Sequence, residues 1–185
     1  MKNIVIVGFM GTGKTVVAKT LAGDMGKTYV SVDALIEVRE GKVIGDIFRD
    51  SGEAYFREVE KSVIEEVSEK HDQVVDAGGG VVLDAENMEN LKKSGIVICL
   101  WAEAGVIHER TKKHAHRPLL KVANPEERIR ELLDYRRPFY EKADFRVDTT
   151  DLDIASVVGR IKEIVNEAEK EKARSKRRDF EQDVP

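Results

Sequence analysis

The sequence predicts an α/β protein in which a five-stranded parallel sheet lies between two layers of helices. Three observations predict it. Short apolar runs of strand length alternate with longer stretches of helical period. Most of the runs are continuously apolar, as strands covered on both faces must be, whereas a half-solvated strand would alternate. The first run also leads directly into Gly8-Phe9-Met10-Gly11-Thr12-Gly13-Lys14-Thr15, which fits the phosphate-loop pattern G-x-x-x-x-G-K-[ST] at a strand-to-helix junction.

In chain order, Ile4 to Val7 is the first strand and Thr15 to Met25 the first helix. Between them the glycines let backbone N–H groups curl toward an anion, the helix presents its positive end, Lys14 adds a charge and Thr15 a hydroxyl suited to magnesium. Thr28 to Val32 is the second strand, ending at Asp33, and Ala34 to Glu40 is helical. Helix Gly52 to Lys70 carries an apolar stripe of Phe56, Val59, Val63 and Val67. Arg57 and Glu60 lie three residues apart beside that stripe, and spacing alone favours a surface ion pair. Val74 to Asp76 is the third strand, followed by Gly78-Gly79-Gly80. Helix Ala85 to Ser94, strand Ile96 to Trp101 and helix Glu103 to Lys112 come next. The segment from Lys112 to Asn124, with Arg117-Pro118-Leu119-Leu120, shows neither period and reads as a mobile lid. Helix Pro125 to Glu141, strand Phe145 to Asp148 and a helix from Ile154 complete the alternation. Functional groups thus cluster just after the strands, where open α/β sheets bind ligands.

Composition narrows the class. The chain has 185 residues, enough for one well-buried domain, and no apolar run approaches the roughly 20 residues that span a bilayer. A signal peptide is not expected, because the phosphate loop begins before an apolar h-region could finish. A single cysteine, Cys99, excludes an internal disulfide and fits a reducing, cytoplasmic compartment; its apolar strand makes it a buried side chain. A net charge of −4 argues against broad nucleic-acid binding, and no membrane association is expected. From Glu167 to Pro185 the chain is nearly all Glu, Lys and Arg, which reads as a helical extension or a disordered tail.

The phosphate loop, Asp33-Ala34-x-Ile36-Glu37, Ile47-Phe48, Gly52-Glu53-x-x-Phe56-Arg57-x-x-Glu60, the glycine triplet, Arg117-Pro118-Leu119 and Arg136-x-Pro138-x-Tyr140 occur together in an order that resembles shikimate kinases over about residues 1 to 160. The resemblance implies a P-loop kinase fold over residues 1 to 166, with a lid at about 112 to 124. It implies a monomer that transfers the γ-phosphate of ATP, with magnesium, to the 3-hydroxyl of shikimate. It assigns Asp33, Arg57, Gly78, Gly79, Gly80 and Arg136 to the acceptor. Gly11, Thr12, Gly13, Lys14, Thr15, Val16, Arg110 and Arg117 fall to the nucleotide. Catalysis falls to Lys14, Asp33 and Arg117. The chemistry agrees: a hydroxylated ring carboxylate needs guanidinium forks for its carboxylate and an acceptor for its hydroxyl. Phe48 and Phe56 are either walls of that pocket or core. Arg110 either stacks on adenine or is solvated, Glu60 is a candidate to hold Arg57, and His108, His114 and His116 are read as polar lid residues without metal spacing. A related kinase of another hydroxy acid such as gluconate, or a nucleotide-binding regulator without turnover, are the competing readings.

Two departures stand out. Shikimate kinases carry Asp-x-Asp after the second strand, where this chain has Ser31-Val32-Asp33; yet the third strand ends on Asp76. The expectation is that Thr15 ligates magnesium directly while Asp76, with the Ser31 hydroxyl beside it, acts through water, provided the two strands are neighbours and both side chains share a face. After the last strand, Val147-Asp148-Thr149-Thr150-Asp151 lacks the proline that often follows in the adenine-side loop.

Overall fold

The computed structural model describes residues 2–112, 122 and 124–182, with the backbone alone at 172 and 175–182. Five strands are present: β1 (Asn3–Gly8), β2 (Thr28–Ser31), β3 (Gln73–Asp76), β4 (Gly95–Trp101) and β5 (Phe145–Asp148). They pair in the order β2-β3-β1-β4-β5, every pair parallel. Successive residues of a strand face opposite sides, so each run feeds two cores. Val5, Val7, Val75, Val97 and Cys99 pack on one face against α2 (Val32–Glu40), α3 (Ile44–Ser68), α4 (Ala85–Ser94) and α6 (Pro125–Tyr140). Ile4, Ile6, Val74, Ile98 and Leu100 pack on the other against α1 (Lys14–Met25) and α7 (Ile154–Gln182). The three-layer α/β/α expectation holds, with α5 (Ala104–Thr111) completing the helices.

Two boundaries differ in kind from the pattern reading, and the C-terminal helix takes the helical of its two expected forms. Val32 opens α2 instead of closing β2, because the Ser31 hydroxyl accepts the Ala34 N–H at 3.2 Å and so caps the helix. A helical arm, from Ile44 to Ser51, precedes the expected start of α3 at Gly52. Gly52 adopts φ 82° and ψ 173°, a conformation open essentially to glycine alone, so the arm and the Arg57-bearing helix meet at a kink. The arm's first amide is capped from α2, where Glu37 Oε1 accepts the Ile44 N–H at 3.0 Å. Finally, α7 buries Val157, Val158, Ile161, Ile164 and Val165 and its backbone continues helical to Gln182.

The carboxyl ends of β1, β2 and β3 and the starts of α1 and α2 open into one cleft of about 740 Å³. Among the described residues no helix is long and apolar enough to cross a membrane.

Candidate active site

The phosphate loop is organised around one carbonyl. Phe9 O accepts the Thr12 hydroxyl at 2.8 Å, the Thr12 N–H at 3.4 Å and the Lys14 ammonium at 3.1 Å. Gly13 precedes α1 with φ 90°, and neither a capping side chain nor an acidic residue occupies the first turn. Among the described residues no side chain caps the positive end of α1, which faces the cleft and meets the electrostatic requirement for a phosphate. Gly11, Gly13, Lys14, Thr15 and Val16 line the cleft, whereas the Thr12 side chain is 1% exposed and turned into the loop.

Opposite the loop, three side chains meet three successive glycines. Asp33 Oδ1 lies 3.3 Å from where a Cβ on Gly78 would stand, Arg136 Nη1 donates to Gly79 O at 3.4 Å, and a Cβ on Gly80 would come within 2.6 Å of Arg57 Nη1. The missing side chains leave room for groups to approach this strip. Arg57 is held from behind by Glu60 at 2.7 Å and by Glu53 at 3.0 Å. Glu60 is only 3% exposed, so the pair is not the surface ion pair that spacing favoured. Burial pushes the Glu60 carboxyl up, and the Arg57 charge and hydrogen bond pull it back. Arg136 stacks 5.6 Å from the Phe9 ring, and among the described residues its buried Nε has no hydrogen-bond partner. Tyr140, one helical turn after Arg136 and 2% exposed, donates to Gly79 O at 2.8 Å. Its motif had marked the residue but no role. Spacing of four on one helix face is the signal that ties it to Arg136. Phe56 is buried and Phe48 half-exposed, their rings 4.6 Å apart, and both also line the cleft, so the two readings of this pair are reconciled.

Between loop and glycines stand two carboxylates. Burial, and then the charge of Asp76, raise the pKa of Asp33, against the lowering influence of Lys14 and Arg57. Asp76, 6% exposed, accepts the Thr15 hydroxyl at 2.6 Å. Ser31 and Asp76 are register partners of neighbouring parallel strands, so they face the same side.

On the lid side, Arg110 is exposed but anchored: its guanidinium donates to Thr149 Oγ1 at 3.1 Å and to Thr149 O at 2.7 Å, tying α5 to the loop after β5. It also lines the cleft. His108 belongs to α5, its Nδ1 3.8 Å from Glu126 of α6, and is no part of the lid. Arg117, His114 and His116 lie outside the described residues, as does most of the expected lid. Cys99 is fully buried and its thiol is pushed up to about 12, the inert side chain that its strand predicts. No cluster of His, Cys, Asp and Glu suited to hold a metal by itself occurs among the described residues.

A phosphate cradle facing two guanidinium groups and a carboxylate has the chemistry to move a phosphoryl group onto a small anionic alcohol, and on this sheet it defines a P-loop small-molecule kinase. Known proteins narrow that class. A sequence model described as shikimate kinase matches residues 10–170. The shikimate kinase of Thermodesulfovibrio yellowstonii is 52% identical over 161 residues, 87% of this chain and 93% of that protein. The chain belongs to the shikimate kinase family. The solved shikimate kinase from Acinetobacter baumannii in complex with shikimate is 36% identical and superposes with a TM-score of 0.86, over 91% of this chain and 94% of that one. A gluconokinase from Sinorhizobium meliloti, 16% identical with a TM-score of 0.55 over 92% and 97% of the two chains, shares the fold alone.

Proposed function

We propose that this chain phosphorylates the 3-hydroxyl of shikimate with ATP, giving shikimate 3-phosphate and ADP. The observation that carries this reading is the strip where Asp33, Arg136 and Arg57 meet Gly78, Gly79 and Gly80 beside the phosphate loop. Arg57 and Arg136 take the acceptor's carboxylate as charge-assisted forks. Asp33 orients the attacking hydroxyl and accepts its proton. The α1 amides, Lys14 and, from the lid, Arg117 bind the phosphates and stabilise the charge that develops on the transferred group, so catalysis is alignment and electrostatics. Arg110, fixed by Thr149, borders the nucleotide end of the cleft. Hard oxygen donors suit magnesium, and Thr15 with its carboxylate partner supplies them. Held there, the ion would neutralise charge on the nucleotide's phosphate oxygens. Residues 1–166 form the catalytic unit and 167–182 an extension of α7; the enzyme acts as a monomer in the cytoplasm, and its one buried, unpaired cysteine supports that compartment.

A coupled ADP-release assay with shikimate, with gluconate and without acceptor tests the reading. Turnover is expected with shikimate alone; equal turnover with gluconate, or none with either, overturns it. The glycine strip makes a sharper expectation. Gly80→Ala places a methyl group 2.6 Å from Arg57 Nη1, and Glu60 and Glu53 keep that guanidinium from yielding freely. The shikimate KM is expected to rise about tenfold or more, the loss of one charge-assisted hydrogen bond, while calorimetry finds nucleotide affinity unchanged.

A further inference from the structure

We propose that Asp76 is the carboxylate through which this chain holds the nucleotide's magnesium by way of water, and that its strand neighbour Ser31 serves as a helix cap and is not a partner of the metal. The proposal deepens the kinase reading above and rests on its nucleotide site.

Thr15 follows Lys14 in the phosphate loop, and its hydroxyl donates to Asp76 Oδ2 at 2.6 Å. A hydroxyl has one proton. With that proton committed to Asp76, the remaining lone pairs of Thr15 Oγ1 point away from the carboxylate, which prepares the oxygen to accept a cation. Asp76 is itself 6% exposed at the end of β3, and among the described residues the bond from Thr15 is its side chain's single hydrogen bond. A carboxylate so enclosed needs compensating positive charge, and its second oxygen keeps acceptor capacity for a water between it and that charge.

Ser31 is placed to share this space but is otherwise engaged. It pairs in register with Asp76, so one strand spacing of about 4.8 Å separates the two backbones and both side chains leave the sheet on the same face. Its Oγ accepts the Ala34 N–H at 3.2 Å and so caps α2, the helix whose first turn contains Asp33. In this proposal Ser31 takes a positioning role in place of the metal contact expected from the sequence: it orients the start of the helix that presents the acceptor-side carboxylate. Asp33 stands on the other side of the division, against Gly78. Each acidic group then has one task, Asp76 toward the metal and Asp33 toward the acceptor.

Register pairing makes the idea testable by exchange, because a carboxylate moved from 76 to 31 stays on the same face one strand away. The measurements are ADP affinity by calorimetry in magnesium and in EDTA, and Mn²⁺ binding to the enzyme·ADP complex by electron paramagnetic resonance. Neither needs acceptor or turnover, so failure of the shikimate assignment would leave them readable. Asp76→Asn is expected to weaken Mn²⁺ binding about 10- to 100-fold, the usual consequence of losing an outer partner, without weakening ADP binding in EDTA, where loss of a negative charge beside the phosphates can only favour the nucleotide. The exchange variant Asp76→Ser/Ser31→Asp is expected to recover most of the lost Mn²⁺ affinity. Metal affinity retained in Asp76→Asn, or a loss that the exchange does not repair, overturns the proposal.

Discussion

Asp33→Asn will lower kcat by about 10²- to 10⁴-fold, the range for loss of a positioned proton acceptor. The amide keeps the size of the carboxylate and its place against Gly78, so the shikimate KM should move far less than kcat. A general base works only when ionised, and burial, followed by the charge of Asp76, raises the pKa of Asp33 above its ordinary 3.8. The sign follows directly. As pH falls through that raised value Asp33 takes a proton and turnover declines, so the acidic limb of the wild-type kcat profile should lie above the ordinary aspartate value. Asp33→Asn should flatten that limb along with the rate. A variant within tenfold of wild type, or one that keeps the acidic limb, would remove Asp33 from the proton's path.

Much of this architecture was legible because its physics is local. Continuous apolar runs mark strands that are covered on both faces, and β1, β3 and β4 obey that rule. The phosphate loop announces itself through glycines and a lysine at fixed spacing. Where the reading slipped, a longer-range contact decided. Val32 looks like strand until the Ser31 cap is seen, and the arm at Ile44 is capped by Glu37 from another helix. Glu60 reads as surface because spacing cannot say what packs over it; its burial is a tertiary fact, as is the bond from Tyr140 to Gly79 O. The facing of Ser31 and Asp76 stood in the sequence only as a condition on strand order, and the parallel register of β2 and β3 meets that condition.

Arg57→Ala should weaken shikimate by about two to three orders of magnitude, as truncating one member of a hydrogen-bonded charge pair does, and it should also destabilise the fold. The two effects have different origins. The first is loss of the fork that meets the acceptor's carboxylate. The second is Glu60, 3% exposed, which loses its cation; an orphaned buried charge costs about 3–5 kcal/mol near neutral pH. Burial already raises the Glu60 carboxyl above its ordinary 4.5, and the two largest opposing influences both come from Arg57. Removing Arg57 therefore raises it further. A carboxyl whose folded pKa exceeds its unfolded value contributes stability fully below the unfolded value and loses it as pH rises through the folded one. The deficit of Arg57→Ala relative to wild type should accordingly be small near pH 4.5 and widen toward pH 8, which urea unfolding at the two pH values will measure. Adding Glu60→Gln should recover part of the stability at pH 8 and none of the affinity for shikimate. If the double variant regained the affinity, Arg57 would be a structural partner of Glu60, and recognition of the acceptor's carboxylate would rest on Arg136 alone.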